Sequence, residues 1–289
     1  VISGTGSLTK LGSGTLTLSG TNTYTGITTV SAGTLALGAS DVISNSSALT
    51  VNGGTFALGA NSDTVGAVTI GTNGGSITST TGVLTSSSYT FNNTSAATVS
   101  AILAGSVNLT QAGSGTSTLS GANTYSGSNT LSGGTLALSG NGTLGSAANN
   151  LTMSATAALD LQRALTVGNL VMATGNTITN STGSSSLTVG GTSSLGGSIT
   201  TSGNQTYTGA TTIAANTSLA STANGTITFS STVNSASAAA YSLTTSTGTG
   251  STVFASTVGA SYALASLNTS GDTSIGGSVT TAGVQGYGG

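Results

Sequence analysis

Few side chains in this sequence can perform chemistry, because only six of its 289 residues are charged. They are Lys10, Asp41, Asp63, Asp160, Arg163 and Asp272. The chain contains no His, Cys or Glu. Without these residues it cannot build a Ser-His-Asp triad, a thiol nucleophile, or a conventional zinc or haem site. We therefore predict no catalytic, cofactor-binding or metal-binding residues, and no cofactor.

The closest approach to a catalytic pair is Asp41 with Asp63. Two carboxylates about 5 Å apart would suit a retaining glycosidase. The alternative is that both are turn residues following strands that end at Leu37 and Leu58. We favour the turn interpretation, because no cationic residue lies nearby in the sequence.

A second charged pair is predicted on the surface. Asp160 lies between Leu159 and Leu161, which alternate with it and are expected to point inward. Asp160 should then point outward and pair with Arg163 on the same face, as a modest surface contact.

The scarcity of charge also limits the partners. Two cations cannot neutralise a nucleic-acid backbone, so we predict no nucleic-acid binding. The mean hydropathy is +0.29. Even so, Gly, Ser, Thr or Asn interrupts every apolar run well before the roughly 18 residues of a membrane-spanning helix. We predict no membrane insertion by this segment.

Two families of internal repeats organise the chain. Residues 14–37 and 115–138 are identical at 17 of 24 aligned positions, and residues 197–209 match 277–289 at 8 of 13. We predict one continuous array over 1–289. Residues 1–100 and 101–196 form two related blocks, and 197–289 form a second repeat type that is cut off in mid-repeat.

A shorter period lies within these repeats, made of apolar-x-apolar pairs. This alternation is typical of short strands with one buried face. Its recurrence every 19–25 residues predicts an all-β solenoid, a right-handed parallel β-helix with rungs of that length. A β-sandwich or up-and-down barrel is the alternative. The predicted inward ladder consists of Leu16, Leu18, Leu35, Leu37, Phe56, Leu58, Leu136, Leu138, Leu159 and Leu161.

Polar and aromatic residues recur together at the ends of the strands. We predict that they fill or cap the corners of the solenoid; the alternative is that the rings stack on sugars. Thr arrays such as Thr15-x-Thr17 also suggest the Thr ladders of ice-binding solenoids, a less favoured interpretation. The predicted repeat-motif turn residues are Asn22, Tyr24, Asn123, Tyr125, Gln205, Tyr207, Gln285 and Tyr287.

Residues 1–37 and 101–138 resemble the autotransporter-associated β-strand repeat of bacterial passenger regions. Residues 197–213 and 277–289 are similar to repeats of large haemagglutinin-like adhesins. The resemblance implies a right-handed parallel β-helix, export across the outer membrane and display at the bacterial cell surface. It implies no catalytic residues.

These observations predict a non-catalytic structural or adhesive extracellular rod, a segment of a secreted surface or filament protein. Its expected partners are further rungs, either flanking ones of the same polypeptide or those of another copy stacked end to end, and glycans of host or neighbouring cells. The alternative is a module that binds or cleaves polysaccharide. A pair of Asp carboxylates at catalytic distance would favour this alternative.

Overall fold

The computed structural model describes residues 1–237 and 239–288, and all the regular secondary structure in them is β-strand. Two compact units are present, Val1–Ser146 (unit 1) and Ala147–Gly289 (unit 2). Ala238 and Gly289, the last residue of the predicted repeat 277–289, lie outside the described residues. The predicted single array over 1–289, with its three blocks, stays a prediction.

Unit 1 contains seventeen short strands. They are β1 Leu8–Lys10, β2 Thr15–Leu18, β3 Thr28–Val30, β4 Thr34–Leu37, β5 Leu49–Val51, β6 Thr55–Gly59, β7 Asp63–Thr64, β8 Ala67–Ile70, β9 Gly75–Ser79, β10 Val83–Thr85, β11 Ser88–Phe91, β12 Ala97–Val99, β13 Ile102–Ala104, β14 Leu109–Gln111, β15 Thr116–Leu119, β16 Asn129–Leu131 and β17 Thr135–Leu138.

These strands form three parallel sheets. The chain visits sheets A and B on every rung, and sheet C on three successive rungs. Sheet A contains β1, β3, β5, β8, β11, β14 and β16; sheet B contains β2, β4, β6, β9, β12, β15 and β17; sheet C contains β7, β10 and β13. In sheet A, Leu49 pairs with Val68, 19 residues further on. Stacked rungs of this length define a parallel β-solenoid.

The in-out alternation of each strand explains why these sequences fold this way. In β5 the side chains of Leu49 and Val51 are buried, while Thr50 between them faces outward. Thr50 pairs with Thr69 on the next rung, so outward Thr stacks on outward Thr. β-Branched residues pack well on such a half-buried surface.

Unit 2 has the same construction, with sixteen strands in its described residues. They are β18 Leu151–Met153, β19 Ala158–Leu161, β20 Ala164–Val167, β21 Leu170–Met172, β22 Thr177–Thr179, β23 Ser186–Val189, β24 Ser193–Leu195, β25 Ser198–Thr201, β26 Gln205–Tyr207, β27 Thr211–Ile213, β28 Thr217–Ser221, β29 Ile227–Phe229, β30 Val233–Ser235, β31 Leu243–Phe254, β32 Leu267–Ile275 and β33 Gln285–Tyr287.

Two sheets of unit 2 merge toward its end. Sheet D contains β18, β21, β24, β27 and β30; sheet E contains β19, β22, β25 and β28; sheet F contains β20, β23, β26 and β29. The long strand β31 pairs with both β28 and β29, so sheets E and F become continuous there. β31 then pairs with β32, and β32 with β33.

Aromatic rings form part of the core of unit 2. Tyr207 and Phe229 stack with their centroids 5.0 Å apart, and Phe229 and Phe254 with theirs 5.2 Å apart. The three residues are successive partners on sheet F and β31. The rings therefore form a ladder, with one ring on each rung.

The predicted parallel β-solenoid is confirmed, and the parallel pairing of the described strands excludes the sandwich or barrel alternative. Leu16 pairs with Leu35, and Leu35 with Phe56, as the ladder predicts. One member of the ladder departs from the expected burial. Leu16 is 36% exposed, whereas Leu35 is fully buried. The reason is that β2 pairs with a strand on one side, β4, so Leu16 is covered from one side only.

Candidate functional site

Asp63 is the most unusual charged residue of unit 1. It lies in β7, not in a turn as predicted, and only 2% of its surface is exposed. Its Oδ2 accepts the backbone N–H groups of Val42 and Ile43, at 3.0 and 3.1 Å. Its Oδ1 is buried and accepts no hydrogen bond from the described residues. Burial raises the pKa of Asp63 from 3.8 to about 6, although the two N–H donors act in the opposite direction.

Asp41 does not share this environment. Its side chain is exposed, and it occupies a corner with a φ of 53°. Its negative charge adds a small upward contribution to the pKa of Asp63. The prediction that both acids are turn residues is therefore wrong for Asp63. This residue occupies the inward position of β7, so its side chain is buried at the corner. Asp63 binds backbone N–H groups there, which is a structural role.

Asp160 lies between the buried Leu159 and Leu161, as predicted, and is half-buried. Its carboxylate accepts hydrogen bonds from Ser181 N and Oγ, at 2.9 and 2.6 Å, and from Gln162 Nε2 at 2.7 Å. Burial raises the pKa of Asp160, but these hydrogen bonds outweigh burial and hold it below its ordinary value. The contact between Asp160 and Arg163 stays a prediction. Asp272, the remaining acid of unit 2, is exposed.

Lys10 has a role that the sequence reasoning missed. It occupies an inward position of β1, in register with Val30, and is 6% exposed. Its Nζ donates to the carbonyl oxygens of Leu11 and Gly12, both at 2.7 Å, and of Ala32 at 3.2 Å. The Leu8-x-Lys10 alternation was the available signal for this burial. The ammonium group thus binds loop carbonyls.

The repeated Asn residues join three rungs at one corner. Asn123 Oδ1 accepts the N–H of Leu103 at 2.9 Å, and its Nδ2 donates to Thr143 O at 2.8 Å. Each partner is 20 residues away, one before and one after. Asn22 makes the same pair of bonds, to Ile2 N and Val42 O.

The Tyr residues of the same motif lie in the core. Tyr24 and Tyr125 are almost fully buried, and their hydroxyl groups bond Thr28 Oγ1 and Asn129 Oδ1, both at 2.6 Å. Burial raises the pKa of both phenols. These rings face other core side chains, so they offer no surface on which a sugar could stack.

The Gln–Tyr motif of unit 2 lies in strands and not in turns as predicted, because Gln205–Tyr207 forms β26 and Gln285–Tyr287 forms β33. Its hydrogen bonds differ from those of the Asn–Tyr motif. Gln205 is fully buried, and its Nε2 donates to Ala220 O at 2.8 Å and Thr201 Oγ1 at 3.2 Å. Its Oε1 accepts the hydroxyl of the buried Tyr207 at 2.9 Å. The second copy repeats the bond from Tyr207 to Gln205 with Tyr287 and Gln285, also at 2.9 Å, but Tyr287 is 44% exposed.

A shallow polar groove of about 620 Å³ lies on unit 2. Two of its hydroxyl groups already accept backbone N–H groups of a neighbouring rung: Ser185 N donates to Ser202 Oγ at 2.7 Å, and Ser202 N to Ser185 Oγ at 3.0 Å. The groove offers a ligand neither a charged nor an aromatic side chain. It is lined by Ala164, Ser184, Ser185, Ser186, Ser202, Gly203, Asn204, Ala223, Asn224 and Gly225.

The described residues contain no group of three or more acidic, His or Cys side chains arranged to hold a metal ion. Within 1–237 and 239–288 there is also no helix with the length and apolarity of a membrane span. The buried polar side chains named above bond backbone groups or one another.

Comparison with known proteins identifies part of the chain. Residues 8–37 and 109–138 match the family model of the passenger-associated-transport-repeat. The two segments contain the Asn–Tyr corners at Asn22 and Asn123. No curated protein and no solved structure matches the chain. Repeats of this family are generally structural, and the family implies secretion to the cell surface. The resemblance predicted for these segments is thus confirmed, and the repeats and the β-solenoid fold together fit a segment of an autotransporter passenger region.

Proposed function

We propose that the chain is a non-catalytic structural or adhesive rod at the surface of a bacterium, exported across the outer membrane as part of a larger secreted protein. One observation carries this proposal. The buried polar groups that would otherwise be candidates for chemistry bond backbone groups of the fold, as Asp63 does with Val42 and Ile43. Such groups hold rungs together.

The composition suits a protein exposed outside the cell. Met153 and Met172 are the only sulfur-containing residues, and both are buried. Lys10, one of two sites for trypsin-like proteases, is buried and tied to three carbonyls. These features favour persistence in an oxidising and proteolytic environment.

Further rungs are the partners we propose, either from the same polypeptide or from another copy stacked end to end. Apolar side chains are exposed on the outermost rungs of both units, including Leu11 (67%) in unit 1 and Val284 (69%) in unit 2. An added rung would cover such side chains and pair the open strand edges. The outward hydroxyl groups of Thr and Ser would serve contacts with glycans of neighbouring cells.

The experiment compares adhesion with catalysis on the same purified chain. Beads coated with the chain are mixed with bacterial cells, and a panel of neutral and acidic polysaccharides is assayed for newly formed reducing ends. We expect the beads to adhere to cells or to one another, and no reducing ends to form. Release of reducing ends that is abolished in D41N or D63N would instead establish the polysaccharide-cleaving alternative.

A further inference from the structure

Four asparagines of this chain directly precede a glycine: Asn52, Asn73, Asn141 and Asn224. Glycine lacks a Cβ, so its backbone nitrogen is the least hindered nucleophile for the preceding carboxamide. The fold itself requires glycine at such positions. A Cβ at Gly74 would overlap with the carbonyl of Ala96, and one at Gly142 with that of Leu119.

Two of the four asparagines are tied to the following rung. Asn52 Oδ1 accepts the N–H of Asn73 at 2.9 Å, while Gly53 N–H donates to Gly74 O at 2.8 Å. Asn224 Oδ1 accepts the N–H of Thr249 at 3.0 Å. For the carboxamide of Asn52 or Asn224 to turn toward the next backbone nitrogen, a hydrogen bond between rungs must break.

The other two asparagines keep their carboxamides clear of such bonds, although the backbone N–H of Asn73 donates to Asn52. Asn73 and Asn141 are exposed, and their side chains make no hydrogen bond within the described residues. The glycine nitrogens that follow them bond carbonyls three residues back, Gly74 to Gly71 at 2.9 Å and Gly142 to Ser139 at 2.7 Å. Opening one turn exposes the nucleophile, and the carboxamide can turn toward it without breaking a side-chain hydrogen bond to another rung. Such local openings need far less free energy than global unfolding.

We propose that Asn73 and Asn141 are sites of non-enzymatic deamidation, and that the fold protects Asn52 and Asn224 from the same reaction. The glycine nitrogen loses its proton to solvent and bonds to Cγ of the asparagine, and the Cγ–Nδ2 bond breaks with release of ammonia. Water then opens the succinimide ring at either carbonyl, which leaves aspartate or isoaspartate. No oxidant or reductant takes part.

The expected selectivity follows from the bonds between rungs. A hydrogen bond of this kind contributes roughly 1 to 1.5 kcal/mol, which corresponds to about a tenfold difference in the population of the reactive conformation.

Each deamidation adds one negative charge. Since the formal net charge of the chain is only −2, modification at both sites would double it, and an ageing sample would separate into charge variants.

The test follows all four sites in one sample. The folded chain is incubated in H₂¹⁸O at mildly alkaline pH, and intact-chain mass spectrometry with electron-based fragmentation locates ¹⁸O and distinguishes isoaspartate from aspartate. We expect label at Asn73 and Asn141 about ten times sooner than at Asn52 and Asn224. The matched control is the same chain in guanidinium chloride, where the four sites should react at similar rates.

Equal rates at the four sites of the folded chain would overturn the proposal, as would faster reaction at Asn52 or Asn224. Finding the same ranking in guanidinium chloride would also overturn it, because the selectivity would then come from local sequence. N141Q should remove one charge variant and leave the reaction at Asn73 unchanged.

Discussion

In unit 1, Asn123 bonds backbone groups on the rungs before and after its own, Leu103 N and Thr143 O. In unit 2, Gln205 lies on sheet F and reaches across the interior to Ala220 O and Thr201 Oγ1 on sheet E. The first arrangement ties rung to rung, and the second ties sheet to sheet. The two repeat types of this chain therefore strengthen stacked rungs along different directions.

The cores of the units differ in a related way. Unit 2 has the ladder of Tyr207, Phe229 and Phe254, whereas the Phe56 position of unit 1 is stacked between the aliphatic Leu35 and Ile77. Unit 1 also contains a buried ionisable group, Asp63, in the corner network. Stacked rungs thus accommodate aromatic, aliphatic and polar side chains at inward positions, where each side chain packs against one on the next rung.

The largest effect should come from removing the central ring of the aromatic ladder. We expect F229A to lower the free energy of unfolding by about 4 kcal/mol, from lost burial and the cavity left behind. F56A is the matched control, because Phe56 is equally buried but has aliphatic neighbours. F229A should cost about 1 kcal/mol more than F56A, the contribution of ring stacking. Urea unfolding, monitored by hydrogen exchange, measures the loss of unfolding free energy in both variants. An equal or larger loss in F56A would show that stacking adds nothing.

The next effect tests the corner that joins three rungs. N123L leaves Leu103 N–H and Thr143 C=O without their side-chain partner, and we expect a loss of about 3 kcal/mol. Asn108 provides the control, since it is exposed and its Oδ1 accepts Ser128 N–H. N108A should cost less than about 0.5 kcal/mol. Hydrogen exchange should show the weakening around Leu103, Asn123 and Thr143; a uniform change over both units would contradict a local tie.

The ionisable group should make unit 1 sensitive to pH. The folded pKa of Asp63, about 6, lies above its ordinary value of 3.8, so the folded chain binds this proton more tightly than the unfolded chain. Its contribution to the free energy of unfolding should therefore increase as the pH falls through 6, and level off below 3.8, with a total of at most about 3 kcal/mol. The measurement is the difference in unfolding free energy between wild type and D63N over this range. A difference that is constant with pH, or of opposite sign, would contradict the burial of the ionised form.

The smallest effect compares one hydrogen bond in two environments. Tyr207 and Tyr287 each donate to a Gln Oε1 at 2.9 Å, but only Tyr207 is buried. Y207F should cost about 1 kcal/mol, because a buried Oε1 loses its donor, and Y287F should cost close to zero, because water replaces the hydroxyl. Equal losses in urea unfolding would indicate that the Gln–Tyr bond acts independently of burial.

The sequence was sufficient for the solenoid because inward pairs must recur once per rung. The pairing of Leu16 with Leu35 and of Leu35 with Phe56 follows directly from that period. Burial of individual polar residues was harder to predict. Lys10 and Asp63 are residue types that usually stay in solvent, and their burial depends on carbonyl or N–H groups supplied by other parts of the rung, which a period of apolar residues does not encode.

The sequence predicts which residues form the corner motifs, but it does not predict their hydrogen-bond partners. Asn22 and Asn123 were recognisable by repetition, but their bonds run to residues 20 positions away in both directions. The merging of sheets E and F in β31 was not foreseen either. It depends on the uninterrupted strand Leu243–Phe254, whose Gly residues resemble those of the loops elsewhere in the chain.

The most direct test of the account is to link neighbouring rungs covalently through outward residues. Thr50 and Thr69 are register partners in adjacent strands, and the chain has no native Cys. T50C/T69C places the two Cα atoms about 5 Å apart, within the range that a disulfide spans. T50C/T90C, two rungs apart at about 9.6 Å, is too far. Stacked rungs predict rapid intramolecular oxidation of the first pair and none of the second. Failure of the first pair, or equal oxidation of both, would contradict the solenoid register.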